Sequence, residues 1–258
     1  MRRITQDGLT YYQFSMWENI SHGIFTRLGG VSSAPWASLN MGGTVGDDTK
    51  AVRQNHELMY SALKVNTSRC CTVWQIHGAD TVIADGPVRG RRWLALADGM
   101  VTDRADTPLV MRYADCTPLF FFDPVQGVIG VAHAGWRGTV SGAGVSVLRT
   151  MTQAYGSKPA DIQVGIGPSI GPERYQVGEE VVNAAHDYFG TTEGIIQRDP
   201  QDGTAYFDLW NANRIDLERN GVQQIEIAGI CTARHTDEFY SHRAEKGRTG
   251  RFGAVISL

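Results

Sequence analysis

The chain has 258 residues, 42% of them hydrophobic and 20% charged, the balance of a globular protein able to bury a large core rather than of a disordered one. Its formal net charge of -3 excludes bulk electrostatic capture of nucleic acid or of an anionic membrane, so any anion it binds is small and met locally. No stretch reaches transmembrane length, polar residues follow Arg2 and Arg3 where a secretory leader needs an apolar run, and no linker divides the sequence. One cytoplasmic domain over residues 1–258 is expected.

The first third reads as β-rich, with β-branched and aromatic residues over 11–16 and 23–26 and a turn at Gly29-Gly30. Asp47 or Asp48 caps a helix over 50–63, in which Val52, Leu58, Met59 and Leu63 recur at helical spacing while Arg53, Gln54 and Glu57 stay polar. Short apolar runs separated by Gly, Pro and Asp predict strands over 73–76, 81–84, 99–102, 109–113, 119–122 and 128–132. From Thr139 the period lengthens: Val140, Gly144, Val145, Leu148, Met151 and Tyr155 fit one face of a long helix closing at Gly156. A strand over 162–166, helices over 179–189 and 209–219, and strands over 225–230 and 253–258 complete the chain. Strands outnumber helices without regular alternation, which favours a single-domain, mixed-sheet α/β sandwich over a doubly wound parallel fold.

Three segments share a form in which an apolar run meets a metal-capable side chain at a tight turn: Trp74-Gln75-Ile76-His77-Gly78, Ala114-Asp115-Cys116-Thr117-Pro118 and Val131-Ala132-His133-Ala134-Gly135. Side chains at strand ends on a rigid sheet can converge without relying on mobile loops. The spacings (77 to 116, 39 residues; 116 to 133, 17 residues) are too wide for a zinc finger, whose ligands come in close pairs. His77, Cys116 and His133 therefore read as the three protein ligands of an open catalytic zinc site, a set that also admits copper; the plain alternative is three ordinary strand-end residues. Asp98 and Asp115 are candidates to orient a ligand imidazole or manage a proton, or else serve as turn aspartates. Cys70 and Cys71 begin an apolar run and read as packing.

Arg137, between two glycines at the opening of the long helix, is placed to grip phosphate, where orphan N–H groups and the helix dipole favour anions. Arg27 in a glycine-rich turn, and Arg243 and Arg251 in a basic loop, are further candidates for binding substrate or phosphate, against the reading of solvated loops. Gly165-Ile166-Gly167-Pro168 is no dinucleotide fingerprint, since Pro168 removes a donor and no helix follows; it reads as a rigid turn at a pocket edge. His22, His56, His186 and His235 read as core or surface histidines.

The motifs Trp74-Gln75-Ile76-His77-Gly78, Ala97-Asp98-Gly99, Ala114-Asp115-Cys116-Thr117-Pro118, His133-Ala134-Gly135-Trp136-Arg137-Gly138, Gly165-Ile166-Gly167-Pro168 and Tyr240-Ser241-His242-Arg243 together resemble the YfiH-like family. It is also called the laccase-domain or polyphenol oxidase family. The likeness runs from Arg27 to Arg251 and is most specific at His133 to Gly138. It implies a sandwich like that of the cytotoxic necrotizing factor deamidases, with a metal site matching His77, Cys116 and His133. It also implies phosphorolysis of adenosine, inosine and methylthioadenosine, deamination of adenosine, and a link to peptidoglycan editing. Gly99 departs from the alanine many members carry.

Four functions stand against one another: a purine nucleoside enzyme using phosphate held by Arg137, a copper oxidase of phenols, a metal-free hydrolase with Cys116 as nucleophile and His133 as base, and a non-catalytic binding module. The chain lacks the His-x-Glu and Pro-Cys-x-x-Cys pattern of zinc deaminases. With only seven histidines, it has too few for a trinuclear copper cluster beside a blue-copper site.

Overall fold

Along strand β7 (Thr117–Asp123) the side chains alternate between two cores: Leu119 and Phe121 enter one, Phe120 the other. The computed structural model describes residues 1–88, 90 and 92–258, and this alternation sets its layering. On the Phe120 side the sheet packs on a second sheet, through Phe14, Met111, Tyr113, Phe252 and Ile256. On the Leu119 side it meets the helices α3 (Ala143–Tyr155) and α5 (Leu209–Arg219) through Val147, Leu148, Met151 and Leu217.

The first sheet is mixed, in the order β13 (Gln224–Ile227), β9 (Gln163–Ile166), β7, β8 (Val128–Ala134), β5 (Gly99–Thr102) and β4 (Thr81–Ile83), parallel only at its two edges. The second is antiparallel, in the order β1 (Arg2–Gln6), β2 (Leu9–Gln13), β3 (Ser21–Phe25), β14 (Phe252–Ser257) and β6 (Leu109–Tyr113). Helix α1 (Thr49–Ala62) covers its outer face with Met59 and Ala62 against Leu9, Phe25, Val110 and Val255. The result is a four-layer mixed α/β sandwich. A small antiparallel sheet, β10 (Gln176–Val177), β12 (Ala205–Phe207) and β11 (Ile196–Arg198), packs with α4 (Glu179–Phe189) around Val181, Ala185 and Phe207. No helix among the described residues is long and apolar enough to cross a membrane.

Several expectations need correction. Residues 73–76 form no regular strand; Cys71 and Trp74 make isolated bridges, and the Gln75 side-chain amide takes a strand's place. Its Nε2 donates to the Arg112 carbonyl (2.7 Å) and its Oε1 accepts the Arg112 N–H (3.1 Å). The long helix expected from Thr139 is two pieces, the single turn α2 (Trp136–Thr139) and α3, divided at Gly142, whose φ of 75° no helix interior adopts. Residues 2–6, read only as a polar terminus, form β1, paired with β2 through Asp7-Gly8 at φ 51° and 80°, the left-handed conformation a two-residue hairpin turn needs. Gly165 and Gly167 line neither of the two cavities described below. A Cβ at either would lie 2.4–2.5 Å from Phe14 or Ile24, so these glycines let the two sheets approach.

Candidate metal centre

His133 continues the inter-sheet face of β8, sharing parity with Ile129 and Val131, and reaches the rim of the sandwich only 4% exposed. Cys116 sits in the three-residue link between β6 and β7, where Asp115 at φ 79° turns the chain back on itself. His77 lies in a loop at φ 64°, exposed at the surface. Only His133 therefore belongs to a strand, yet one donor atom from each of the three lies within 4.8 Å of the others. The two imidazole rings are 4.9 Å apart between centroids and steeply inclined at 73°.

Asp98, fully buried beside β5, organises this meeting. Its Oδ1 accepts from His133 Nδ1 at 2.8 Å, and the carboxylate also accepts the backbone N–H groups of Ile76, His77 and Gly78 at 2.8–3.0 Å. One carboxylate thus fixes the His133 ring and clamps the loop that carries His77, holding a non-glycine residue at positive φ. Burial alone would raise the Asp98 pKa, but the His133 hydrogen bond and charge and the Gly78 and Ile76 amides outweigh it and hold the carboxyl below its usual range. Burial likewise works against the charged forms of Cys116 and His133. Their mutual attraction, with Asp98 behind His133 and His77 beside Cys116, nonetheless pushes the thiol down and the imidazole up.

Two imidazole nitrogens and one readily ionised sulfur, with one tautomer fixed by a buried carboxylate so that Nε2 faces the cluster, fit a divalent metal such as zinc or copper. Gly135 gives this cluster room: a Cβ there would stand 2.8 Å from Cys116 Sγ.

The three residues face a cleft of about 530 Å3 that is walled by the aromatics Trp74, Trp93, Trp136 and Tyr175 and by the arginines Arg92, Arg112, Arg137, Arg243 and Arg251. Arg137 is exposed, stacked 4.7 Å over Trp136, and its guanidinium finds no acceptor among the described residues. It stands on the four-residue turn α2 rather than on a long helix, so its own charge, not a helix dipole, is what an anion would meet. Arg243 lies 5.0 Å over Tyr175 and donates to the Gln176 carbonyl. Arg251 donates to the Gly250 and Thr249 carbonyls, and burial lowers its pKa, partly opposed by the charges of Cys116 and Asp115. Asp115 lines the cleft, but its oxygens accept from Thr232 Oγ1 and the Arg243 N–H, both at 2.6 Å, which ties the 240s loop to the metal-ligand link.

Arg27 departs from the anion-binding role expected for it. It lies outside the cleft lining, stacked on Tyr240, with Nε donating to the Ala37 carbonyl and Nη1 to the Thr236 carbonyl and Glu245. Its Nε and Nη1 donors are satisfied inside the protein. Conversely, Arg92, Arg112, Trp93 and Tyr175 were missed. Arg112 carried a signal, a single cation in the apolar run Leu109-Val110-Met111-Arg112-Tyr113.

Residues 21–258 match the family model described as multi-copper polyphenol oxidoreductase laccase. Among curated relatives, purine nucleoside phosphorylase YlmD of Geobacillus stearothermophilus is 38% identical, over 91% of this chain and 88% of its own. A purine nucleoside phosphorylase of Deinococcus radiodurans is 37% identical, over 93% and 89%. The crystal structure of YlmD from Geobacillus stearothermophilus superposes with a TM-score of 0.91 at 34% identity, covering 97% and 96%. That of Bacillus licheniformis hypothetical protein YfiH gives 0.89 at 30%, covering 98% and 97%. With residues 21–258 matched by the family model, relatives at 37–38% identity over 91–93% of the chain and the same fold, this chain belongs to the YfiH-like, laccase-domain family.

Proposed function

We propose that the cleft is the active site of a zinc-dependent purine nucleoside enzyme that splits adenosine, inosine or methylthioadenosine with phosphate and also deaminates adenosine. The observation that carries this reading is the convergence of His77, Cys116 and His133 in a cleft walled by aromatic rings and arginines. The names of the relatives at 37–38% identity support the substrate class. The four free cysteines suit the cytoplasm, where thiols stay reduced.

Trp74, Trp136 and Tyr175 offer the flat faces on which a purine stacks. Arg137 presents a guanidinium to phosphate, with Arg243 and Arg251 beside it. A phosphate oxygen bonds to the anomeric carbon of the ribose as the bond to the purine nitrogen breaks, giving ribose 1-phosphate and the base. His77, Cys116 and His133 would hold the ion, and Asp98 would keep the His133 Nδ1 proton in place. When bound, the ion supplies Lewis-acid polarisation of substrate.

Phenol oxidation by copper is a second reading, favoured by the two-histidine, one-cysteine set and by the family description. Imidazole supply opposes a multicopper centre. Of the five other histidines, among the described residues His242 alone lines the cleft; His22 and His56 are engaged away from the cluster, and His186 and His235 are exposed outside the cleft. Incubation of metal-replete protein with adenosine, with and without phosphate, tests the proposal. Adenine with ribose 1-phosphate establishes phosphorolysis and inosine establishes deamination, while the absence of both from folded protein refutes it. Stoichiometric copper with no zinc in protein purified without added metal would favour the oxidase.

A further inference from the structure

Beside the metal cleft lies a second chamber of about 650 Å3, which shares Gly43, Arg92 and Arg112 with it. Arg53 on α1 joins these two arginines, and no carboxylate among the described residues lines the chamber. None of the three guanidinium groups has a carboxylate within 4.0 Å among the described residues, whereas Arg3, Arg27, Arg104, Arg198, Arg214 and Arg234 each do.

Arg112 is the most confined. Its Nη2 donates to the Val73 carbonyl at 2.9 Å, and its remaining N–H groups find no acceptor among the described residues. Burial, then the like charge of Arg92, lowers its pKa to about 10, so it stays cationic at neutral pH in a setting that penalises the charge. His56 adds no charge: its ring bridges the Met41 carbonyl and the Tyr60 hydroxyl, and burial lowers its pKa to about 4. The unmet donors and buried charge of Arg112 are costly, and an oxyanion with several acceptor oxygens relieves both, with the exposed cations Arg53 and Arg92 beside it.

We propose that this chamber is a phosphoryl-binding subsite, in which Arg53, Arg92 and Arg112 hold orthophosphate or the phosphate ester of a nucleotide. It stands on the chamber's own geometry and does not require the nucleoside chemistry of the neighbouring cleft.

Calorimetric titration of the full-length protein at low salt with orthophosphate, adenosine 5′-monophosphate and adenosine tests it. The titrations use an Arg137→Gln background, which removes that arginine's contribution in the metal cleft. The expected result is binding that weakens with ionic strength and drops about tenfold in each of Arg53→Gln and Arg92→Gln. Both positions are exposed, so the test survives if Arg112→Gln fails to fold. Equal affinity for orthophosphate and the monophosphate assigns the site to the free ion; a monophosphate that binds much more tightly than both orthophosphate and adenosine assigns it to the ester. Absence of binding by both phosphates, or binding unchanged by Arg53→Gln and Arg92→Gln, overturns the proposal whatever the turnover of nucleosides.

Discussion

The Asp98 carboxylate holds His133 Nδ1 at 2.8 Å and, with the same two oxygens, three amides of the loop that presents His77. Two of the three candidate metal ligands therefore depend on one buried side chain that itself lies outside the cluster. Asparagine there keeps the volume but loses the charge, and its NH2 cannot accept those amides. Asp98→Asn is expected to lower metal affinity about 10–100-fold, read by competition with a chelator. Unchanged affinity would show that the imidazole is oriented by something else.

Gly135→Ala tests the room that the cluster needs beside Cys116. The backbone at φ −74° and ψ −179° accepts alanine, and loss of unfolded-chain freedom favours the folded state by about 0.4–1 kcal/mol. The new methyl, however, would meet Cys116 Sγ at 2.8 Å and turn the thiol away. Overpacking beside Cys116 costs about 1–3 kcal/mol and outweighs that gain, so turnover is expected to fall about 100-fold together with a lowered melting temperature, measured by steady-state kinetics and thermal unfolding.

Arg27→Ala and Arg137→Ala are expected to fail in opposite ways. The first leaves Glu245 and the Thr236 carbonyl without their donor and should cost about 1.5–3 kcal/mol in denaturant unfolding, with KM for phosphate unchanged. The second, exposed and without an acceptor, should change stability by less than about 0.5 kcal/mol and raise KM for phosphate about tenfold. Equal effects from the two would remove the distinction.

His22 makes stability depend on acid. Its Nδ1 donates to the Ile20 carbonyl and its Nε2 accepts the Phe14 N–H, so the folded state holds a neutral ring. Burial lowers its pKa from 6.5 to about 4. The stabilisation is complete above the unfolded value and is lost as pH falls from 6.5 towards 4, since the unfolded chain takes the proton first. Unfolding free energies from urea titrations should fall with acid over that window by about 1.4 kcal/mol per pH unit from this group. His22→Gln should flatten the slope; an unaltered slope places the effect elsewhere.

Much of the fold was legible because its signals are local. Asp48 caps α1 by accepting the Lys50 N–H, and the helical periods ending at Phe189 and Arg219 coincide with α4 and α5. Strands β5 and β6 follow from short apolar runs between turn residues. Residues 73–76 misled because a side-chain amide, Gln75, replaces backbone pairing with a strand 37 residues away. The break at Gly142 was hidden because glycine also fits a continuous helical face, so its left-handed conformation has no periodic signature.

By itself the sequence determined the chemistry on offer: two imidazoles and a thiol at separations no zinc finger has, with aspartates, aromatics and arginines near them. Tertiary structure decided which of these groups meet. Arg27 and Arg137 stand in similar glycine-flanked settings, yet Thr236 and Glu245, more than 200 residues on, engage one guanidinium while the other stays open to the cleft. Residue type sets what a side chain can bond, whereas the neighbours that satisfy it first are set by packing between distant segments, which local sequence does not encode.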